Sequence, residues 1–499
     1  MALHTDYCII GGGPSGLALA WYLAHQGRRV VVVERAATLG GCHRVDRVQG
    51  QMTEHGPRIY SSAYINTQMW LQDMGTSWDD HFVEYPYTLS GITRHVLGQL
   101  SFREWWVLTQ AFMQLPWRET FRDTSMQTFM QTHAFHTESQ DLIQRLCLMT
   151  DGADADRYTV FEFLQLINQH TWYSFYQPRQ PTDKGLFAFI QSKLESLGVI
   201  ILLNRTVVSW QTSSMVNAIQ LHDHSLIFAQ SYIFACPPRH LLEFLSHQPI
   251  PSQDAFGPLD TLNHWVKATD YTLYISVMAF WDSHIVIPSR VGLLNSPWGI
   301  TYIVLSESMT FPRGTVISFA ITRPDVVSPH TQKNAHAMNE YDLKQEVIRQ
   351  FMVMIDHPIP SPTQLLVPPG LYKNHDPIHP TWMTQDTAYV LTPQSSPSPL
   401  PSQSPMFPNV YSLGTHNHHH TYHFTSMESA VTNAMVMAQS FVGTPYELHI
   451  PFDVWTTIQW TLILLLLILV VWVIQRMPPT PSTKAIQHSL NTLKPILSR

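Results

Sequence analysis

The sequence predicts an α/β fold that opens on a dinucleotide-binding βαβ unit, and three observations predict it. Tyr7-Cys8-Ile9-Ile10 is a short apolar run of the kind that forms a buried strand. Gly11, Gly13 and Gly16 follow at the spacing G-x-G-x-x-G, and Leu17, Leu19, Ala20, Leu23 and Ala24 then recur as in a helix. After Gly27 comes a β-branched run, Val30 to Val33, which ends in Glu34, 21 residues beyond Gly13. Each part has a physical reason. The first glycine permits the tight turn, the second lets backbone approach a pyrophosphate, and the third lets helix and strand pack closely. Pro14 needs no N–H partner in the first turn, where Ser15 also falls. The helix N-terminus offers free N–H groups and positive potential to phosphates, worth up to ~2 kcal/mol. A carboxylate at Glu34 stands where a second strand presents an acceptor to ribose hydroxyls. A βαβ unit whose glycines serve only the turn is the competing reading, and the ordered run of strand, glycines, helix, strand and acid argues against it.

Length and composition bound the rest. The chain has 499 residues, room for two or three domains, and 44% hydrophobic residues, enough for a large core. A net charge of −7 and the lack of a basic, aromatic-interleaved cluster argue against a nucleic-acid partner. Cys8, Cys42, Cys147 and Cys236 are scattered without metal or disulfide spacing, as expected in a reducing compartment. The first strand begins almost at residue 1, which leaves no room for a signal peptide, so Asn204-Arg205-Thr206 reads as an accidental sequon.

Beyond Glu34 the chain runs Arg35-Ala36-Ala37-Thr38-Leu39-Gly40-Gly41-Cys42-His43, then His55-Gly56-Pro57-Arg58-Ile59-Tyr60. These elements resemble the flavoprotein superfamily of amine oxidases, protoporphyrinogen oxidases, phytoene desaturases and UDP-galactopyranose mutases. There an acid, Leu-Gly-Gly and a Gly-Pro element embrace FAD. The resemblance implies a Rossmann-type FAD-binding domain (GR2-like), a discontinuous α+β substrate domain and FAD as cofactor. His55 to Tyr60 is closest to the mutase wording. Cys42 stands where most oxidase members carry Arg.

Residues 66–197 read as a helical lobe rich in aromatic residues, among them Trp70, Trp105, Trp106 and Phe161, which at helical spacing are expected to be core. Residues 198–250 then alternate as strands and end in Phe234-Ala235-Cys236-Pro237-Pro238, where proline stops pairing. This passage resembles the superfamily's return to the FAD domain, which implies that Val207 flanks the adenine. Residues 251–392 alternate strands and loops; Thr272–Trp281 and Thr315–Ile321 are expected as neighbours in a substrate-domain sheet, with a helix near Tyr341–Ile355. Many amine-oxidising members hold a water with a lysine at the start of that sheet. Here Tyr271 falls near the place and the nearest lysine is Lys267, a departure from ordinary amine oxidation. Residues 393–408, rich in Pro, Ser and Gln, are expected as an extended, flexible loop.

Residues 405–445 bring the chain back to the FAD domain, which also takes residues 1–65 and 198–250. Asn409 to Gly414 reads as a strand ending at glycine, and a helix opens after Ser426. By resemblance, Gly414 approaches the ribityl-phosphate chain and the helix N-terminus at Met427 faces the flavin. The family's acid after the glycine is replaced by Thr415. Between them, His416, His418, His419, His420 and His423 raise the question of a metal. Consecutive imidazoles splay apart and no Cys or carboxylate interleaves, so no metal site is expected, and one or two of these histidines are expected to face flavin or substrate as proton donors.

Val454 to Ile474 is almost uninterrupted apolar sequence, and as a helix it spans about 31 Å, the thickness of a bilayer core. Tryptophans near both ends suit the interfaces. A C-terminal single-pass membrane anchor with a basic tail over residues 475–499 is therefore expected. The tail charges alone favour a cytosolic tail, whereas the missing signal peptide favours a tail-anchored protein with a cytosolic catalytic domain, the orientation preferred here.

Together the resemblance implies a membrane-anchored FAD-dependent oxidoreductase that passes a hydride from an amine or an apolar, polyene-like small molecule to flavin N5. A mutase-like flavin-dependent sugar isomerase and a non-catalytic, flavin-binding membrane scaffold stay open beside it. The cofactor-binding set is Gly11, Gly13, Pro14, Ser15, Gly16, Glu34, Arg35, Gly41, Cys42, Arg58, Val207, Gly414 and Met427; no catalytic side chain is identified.

Overall fold

A computed structural model of the chain describes residues 2–85 and 98–476, apart from residues 272, 288–290, 294–295, 312–313, 356, 375, 377–379, 386–387, 396, 420–425 and 444–445. The loop histidines His420 and His423, and residues 477–499 of the basic tail, lie outside the described residues.

The N-terminal run forms β1 (Ala2–Ile10), followed by helix α1 (Pro14–His25) and β2 (Val30–Val33). All four valines of β2 are buried, as suits an interior parallel strand covered on both faces. The chain returns to this sheet with β3 (Ile200–Leu202), β4 (Val207–Thr212), β5 (Val216–Leu221) and β6 (Leu226–Phe234), and again with β7 (Val410–Ser412). The strand order is β3-β2-β1-β6-β5-β4, with β7 also on β6. β1, β2, β3, β6 and β7 run parallel; β4 and β5 are antiparallel neighbours. β6 serves two partners along its length: Leu226 and Ile227 face β5, while Tyr232 to Phe234 face β7.

α1 is apolar nearly all round because it is covered on all sides. Leu17, Ala20 and Leu23 pack in one core with Val431 and Ala434 of the helix Met427–Val442 and with Ile190 and Leu194 of the helix Leu186–Ser196. Trp70 and Leu71, from the helix Ile65–Asp73, join the same core. Two helices grouped by sequence with the helical lobe thus pack against the nucleotide-binding sheet. The lobe's own core is drawn from residues 100–164, centred on Phe121, Met130, Ile143 and Phe163, with Trp455 against it.

A second sheet of five antiparallel strands lies apart from the first, in the order 291–293, 300–304, 315–321, 275–281, 364–366. The expected neighbours pair directly, from Ile275 opposite Ile321 to Trp281 opposite Thr315. The helix Glu340–Ile355 covers this sheet with Phe351, whose ring lies 4.8 Å from Tyr302 and 4.9 Å from Phe319.

The Pro/Ser-rich segment is not the free loop its composition suggests. Leu400 and Phe407 are buried, Ser395 O accepts from Trp265 Nε1 at 2.7 Å, and Ser404 Oγ donates to Ala255 O. Its prolines fix the path while Ser395 and Ser404 supply anchors that composition alone does not reveal.

Helix α2 (Phe102–Gln114) belongs to the lobe, α3 (Met427–Val442) to the first sheet, and α4 (Val454–Arg476) ends the described chain. Within α4, Val454–Val473 has a mean hydropathy of 2.3 and only 6% of that stretch is buried. Asp453 caps α4 by accepting from Thr456 N at 2.7 Å, and its other oxygen accepts from Asn168 Nδ2 at 2.8 Å. The helix is tied to the body at its root and leaves it apolar and uncovered.

Candidate functional site

A cavity of about 510 Å³ opens at the C-terminal ends of β1, β2 and β6. This is where parallel α/β sheets place ligands, because helix N-termini converge there. Three separated pieces of chain line it: Gly11 to Ser15 with Glu34, Arg35, Gly41 and Cys42; Val207 with Phe234 to Pro237; and Gly414, Thr415 and Ser426. Ten of the thirteen residues expected to bind cofactor lie on its wall: Gly11, Gly13, Pro14, Ser15, Glu34, Arg35, Gly41, Cys42, Val207 and Gly414. Gly16, Arg58 and Met427 stand behind it.

The glycines divide the work. Gly11 has φ +122°, and a Cβ there would meet Ala235 O at 2.3 Å. A Cβ on Gly16 would meet Gly11 O at 2.1 Å, so Gly16 lets α1 sit down on β1. Gly13 is different. Its backbone is extended (φ −81°, ψ 175°), and a Cβ there would find nothing nearer than Gly41 Cα at 3.7 Å. Gly41, by contrast, has φ +55°, and its Cβ would meet Gly13 Cα at 3.1 Å.

Glu34 is 7% exposed, and its carboxylate is already engaged. Oε2 accepts from Gly12 N at 2.7 Å and Oε1 from Ala36 N at 2.8 Å. It therefore fixes the glycine loop as well as bordering the cavity, and each oxygen keeps a lone pair for a hydroxyl donor. Arg35 Nη2 donates to Gln385 O at 2.6 Å and lies 3.3 Å from His240 Nε2, bridging two walls. Ser426 caps α3, accepting from Ser429 N at 3.0 Å, and the cavity wall includes Ser426 and Ala430. The side chain of Met427 is buried in the α1 core instead. Two helix N-termini, those of α1 and α3, thus open on one cavity, an arrangement that suits an extended anionic ligand.

Beside Cys42 lies a polar group that spacing did not disclose. Arg58 Nη2 donates to Cys42 O at 2.6 Å. Arg58, His43, Glu54 and Tyr60 line a second space of about 10 Å³, room for about one water. His43 Nδ1 is 3.1 Å from Tyr60 Oη. His43 Nε2, Glu54 Oε1, His55 Nε2 and Arg58 Nε are buried without a hydrogen-bond partner among the described residues. Burial pushes the Glu54 carboxyl up to about 7 against the opposing charge of Arg58. Burial, with Arg58 adding to it, pulls His43 down to about 3 and His55 well below the usual imidazole range. Glu54 and His55 sit in the stretch that drew attention for its Gly-Pro element; no local periodicity marks them as buried.

Of the loop histidines, two can be set against the expectation of a proton donor, while His420 and His423 lie outside the described residues. His416 is 1% exposed and is absent from the cavity wall. Nδ1 lies 3.0 Å from Tyr389 Oη and Nε2 3.4 Å from Ser412 Oγ. Burial holds its pKa at about 3, so it is a neutral structural imidazole that positions Tyr389, itself on the wall. His418 Nε2 accepts from Ser398 N at 3.1 Å. Neither is placed as a proton donor. Lys267 is exposed on the helix Leu259–Ala268, and Tyr271 packs with its ring 5.9 Å from Tyr389.

Residues 9–74 match the NAD(P)-binding Rossmann-like domain. A stretch of 46 residues is 46% identical to 6-methylpretetramide 4-monooxygenase of Streptomyces rimosus, covering 9% of this chain and 11% of that protein. Across the curated relatives it matches, the aligned stretch spans 11–15% of their length. Similarity of fold extends much further. Putrescine oxidase, solved with putrescine bound, superposes with a TM-score of 0.60 at 14% identity, over 89% of this chain and 100% of that one. A protein of Exiguobacterium assigned as a protoporphyrinogen oxidase gives 0.54 at 16% identity, over 88% and 98%. The chain thus carries a Rossmann-like segment at residues 9–74 within the fold that it shares with those solved oxidases.

Proposed function

We propose that this protein is a membrane-anchored, FAD-dependent oxidoreductase acting on an amine or on an apolar, polyene-like small molecule. The observation that carries the reading is the single cavity onto which the α1 and α3 N-termini open, with Glu34 at its edge and Gly13 facing Gly41. When bound, FAD would supply the redox chemistry by accepting a hydride at N5. The chain's part is binding and orientation. The Gly13–Ser15 backbone and the α1 N-terminus would hold the pyrophosphate, Glu34 and Val207 the adenosine, and Gly414 with the start of α3 the flavin end. Helix α4 is long and apolar enough to cross a bilayer, which would keep the body beside apolar substrates.

The test is direct. Full-length protein is purified in detergent, its absorbance is scanned for an oxidised flavin spectrum, and the released cofactor is identified by chromatography. Anaerobic bleaching is then followed with amines, polyenes and NAD(P)H. Stoichiometric FAD bleached by an amine or polyene is the expected result. Protein that holds no flavin and binds none when FAD is added would overturn the proposal. Bound flavin that bleaches only with NAD(P)H and then isomerises a nucleotide sugar would move the assignment to the mutase reading.

A further inference from the structure

Helix α2 has two apolar faces, and among the described residues only one of them is covered. Leu108 and Ala111 point inward, 6% and 4% exposed, into the core of the helical lobe. On the opposite side Phe102, Trp106 and Met113 follow one another at i, i+4 and i+11, 86%, 57% and 40% exposed. Thr109 completes the line at i+7 and no charged residue falls on it. Trp117, 65% exposed, continues it just beyond the helix. In an ordinary soluble helix this face would carry charge.

The same helix abuts the root of α4. Trp455, in the first turn of α4, donates from Nε1 to Phe112 O at 3.0 Å. Its ring is parallel to that of Phe112 at 6.3 Å and meets Trp117 edge-on at 5.5 Å. A membrane entered by α4 would therefore begin within a turn or two of Trp117, beside the uncovered face of α2. Tryptophan and phenylalanine suit that depth, because an amphipathic ring sits well at the level of the headgroups.

We infer that the Phe102-Trp106-Met113-Trp117 face of α2 is a second membrane contact, lying in the headgroup region of the bilayer that α4 crosses. It gives the body a second point of contact with the membrane beside the fixed root of α4. The inference rests on the membrane reading of α4.

The test uses full-length protein reconstituted into phosphatidylcholine vesicles that include a phosphatidylcholine with a diazirine high in one acyl chain. After irradiation, labelled peptides are located by mass spectrometry. Lipid adducts on both 102–117 and 454–476 are expected. The double variant F102E/W106E, altered only at exposed positions, should lose the 102–117 adducts and keep those on 454–476 with an unchanged unfolding temperature. Adducts on 454–476 alone in the parent protein would overturn the α2 contact while leaving the anchor standing. Adducts on neither segment would overturn the anchor and the α2 contact together.

Discussion

Gly13 and Gly41 meet backbone to backbone on the cavity wall: a Cβ built on Gly41 would sit 3.1 Å from Gly13 Cα, and one built on Gly13 3.7 Å from Gly41 Cα. A methyl group on Gly13 clears Gly41, but it would add bulk to the wall at the α1 N-terminus, where the glycine loop lets a pyrophosphate approach backbone. Gly13→Ala should therefore change the stability of the apoprotein by less than about 1 kcal/mol, since the extended backbone there suits any residue. FAD affinity should fall at least about tenfold, or about 1.4 kcal/mol. Gly16→Ala should do the opposite, failing to fold because its Cβ strikes Gly11 O at 2.1 Å. Thermal unfolding paired with flavin titration separates the two, and a Gly13→Ala protein with undiminished flavin affinity would remove this loop from the binding site.

Glu34 ties the glycine loop to the end of β2 through Gly12 N and Ala36 N. Glu34→Gln keeps the shape but gives one of those N–H groups an amide NH₂ in place of an oxygen. A buried donor without its acceptor costs about 1–3 kcal/mol, so the variant should unfold at lower denaturant and bind FAD more weakly. The denaturant midpoint of apo Glu34→Gln measures the first effect in isolation. An unchanged midpoint would show that the carboxylate serves only the ligand.

What the sequence disclosed and what it hid follow from range. Strand β1, the glycine turn, α1 and β2 are legible because each is specified by neighbours a few residues away. Gly414 and Ser426 were legible for the same reason: a strand end and a helix cap are local signals. The Arg58 group was not. His43, Glu54 and His55 lose water because the sheet from residue 275 onward packs over them, with Ser276 Oγ donating to His55 O across 221 residues. His416 misled in the same way. Its sequence context is a polar histidine run, and its burial depends on Tyr389 and Ser412 closing around it. Pro397 to Pro408 looked free because the acceptor that holds Ser404, Ala255 O, lies 149 residues away.

Glu54 gives a pH signature. Its carboxyl is raised by burial to about 7 in the folded apoprotein against an ordinary 4.5. A raised folded pKa means the contribution is fully present below pH 4.5 and lost as pH rises through 7. Apo Glu54→Gln should therefore gain stability over the parent between pH 5 and pH 8, by an amount on the order of 3 kcal/mol. Parallel denaturant curves at the two pH values measure it, and a pH-independent difference would mean that Glu54 is ionised in the fold.

His416 should act with the opposite sign. Burial depresses it from 6.5 to about 3, so its contribution is present above pH 6.5 and lost as pH falls toward 3. His43 adds to the same acid lability, being held at about 3 by the same cause. His416→Gln should be less stable than the parent at pH 7.5, where the contacts of the ring with Tyr389 Oη and Ser412 Oγ are lost, and should lose less stability than the parent on acidification to pH 5. Melting temperatures of both proteins at pH 7.5 and 5.0 decide this; equal acid losses would place the titration elsewhere.

The two apolar surfaces near residue 455 can be separated by how they are released. Leu465 and Leu466 are 56% and 61% exposed at the middle of α4, where an arginine costs about 2.5–3.5 kcal/mol to insert. The double variant Leu465→Arg/Leu466→Arg should no longer resist an alkaline carbonate wash of the membranes, because α4 is displaced from the bilayer core. In neutral, low-salt buffer part of it should still sediment with vesicles, since burial of the Phe102 and Trp106 rings in the headgroup region needs no spanning segment. Adding F102E/W106E to that variant should then release the protein in neutral buffer as well. Complete release by the α4 changes alone would mean that the α2 face contributes no binding of its own, and resistance to carbonate in the α4 variant would mean that something other than residues 454–473 holds the protein in the membrane.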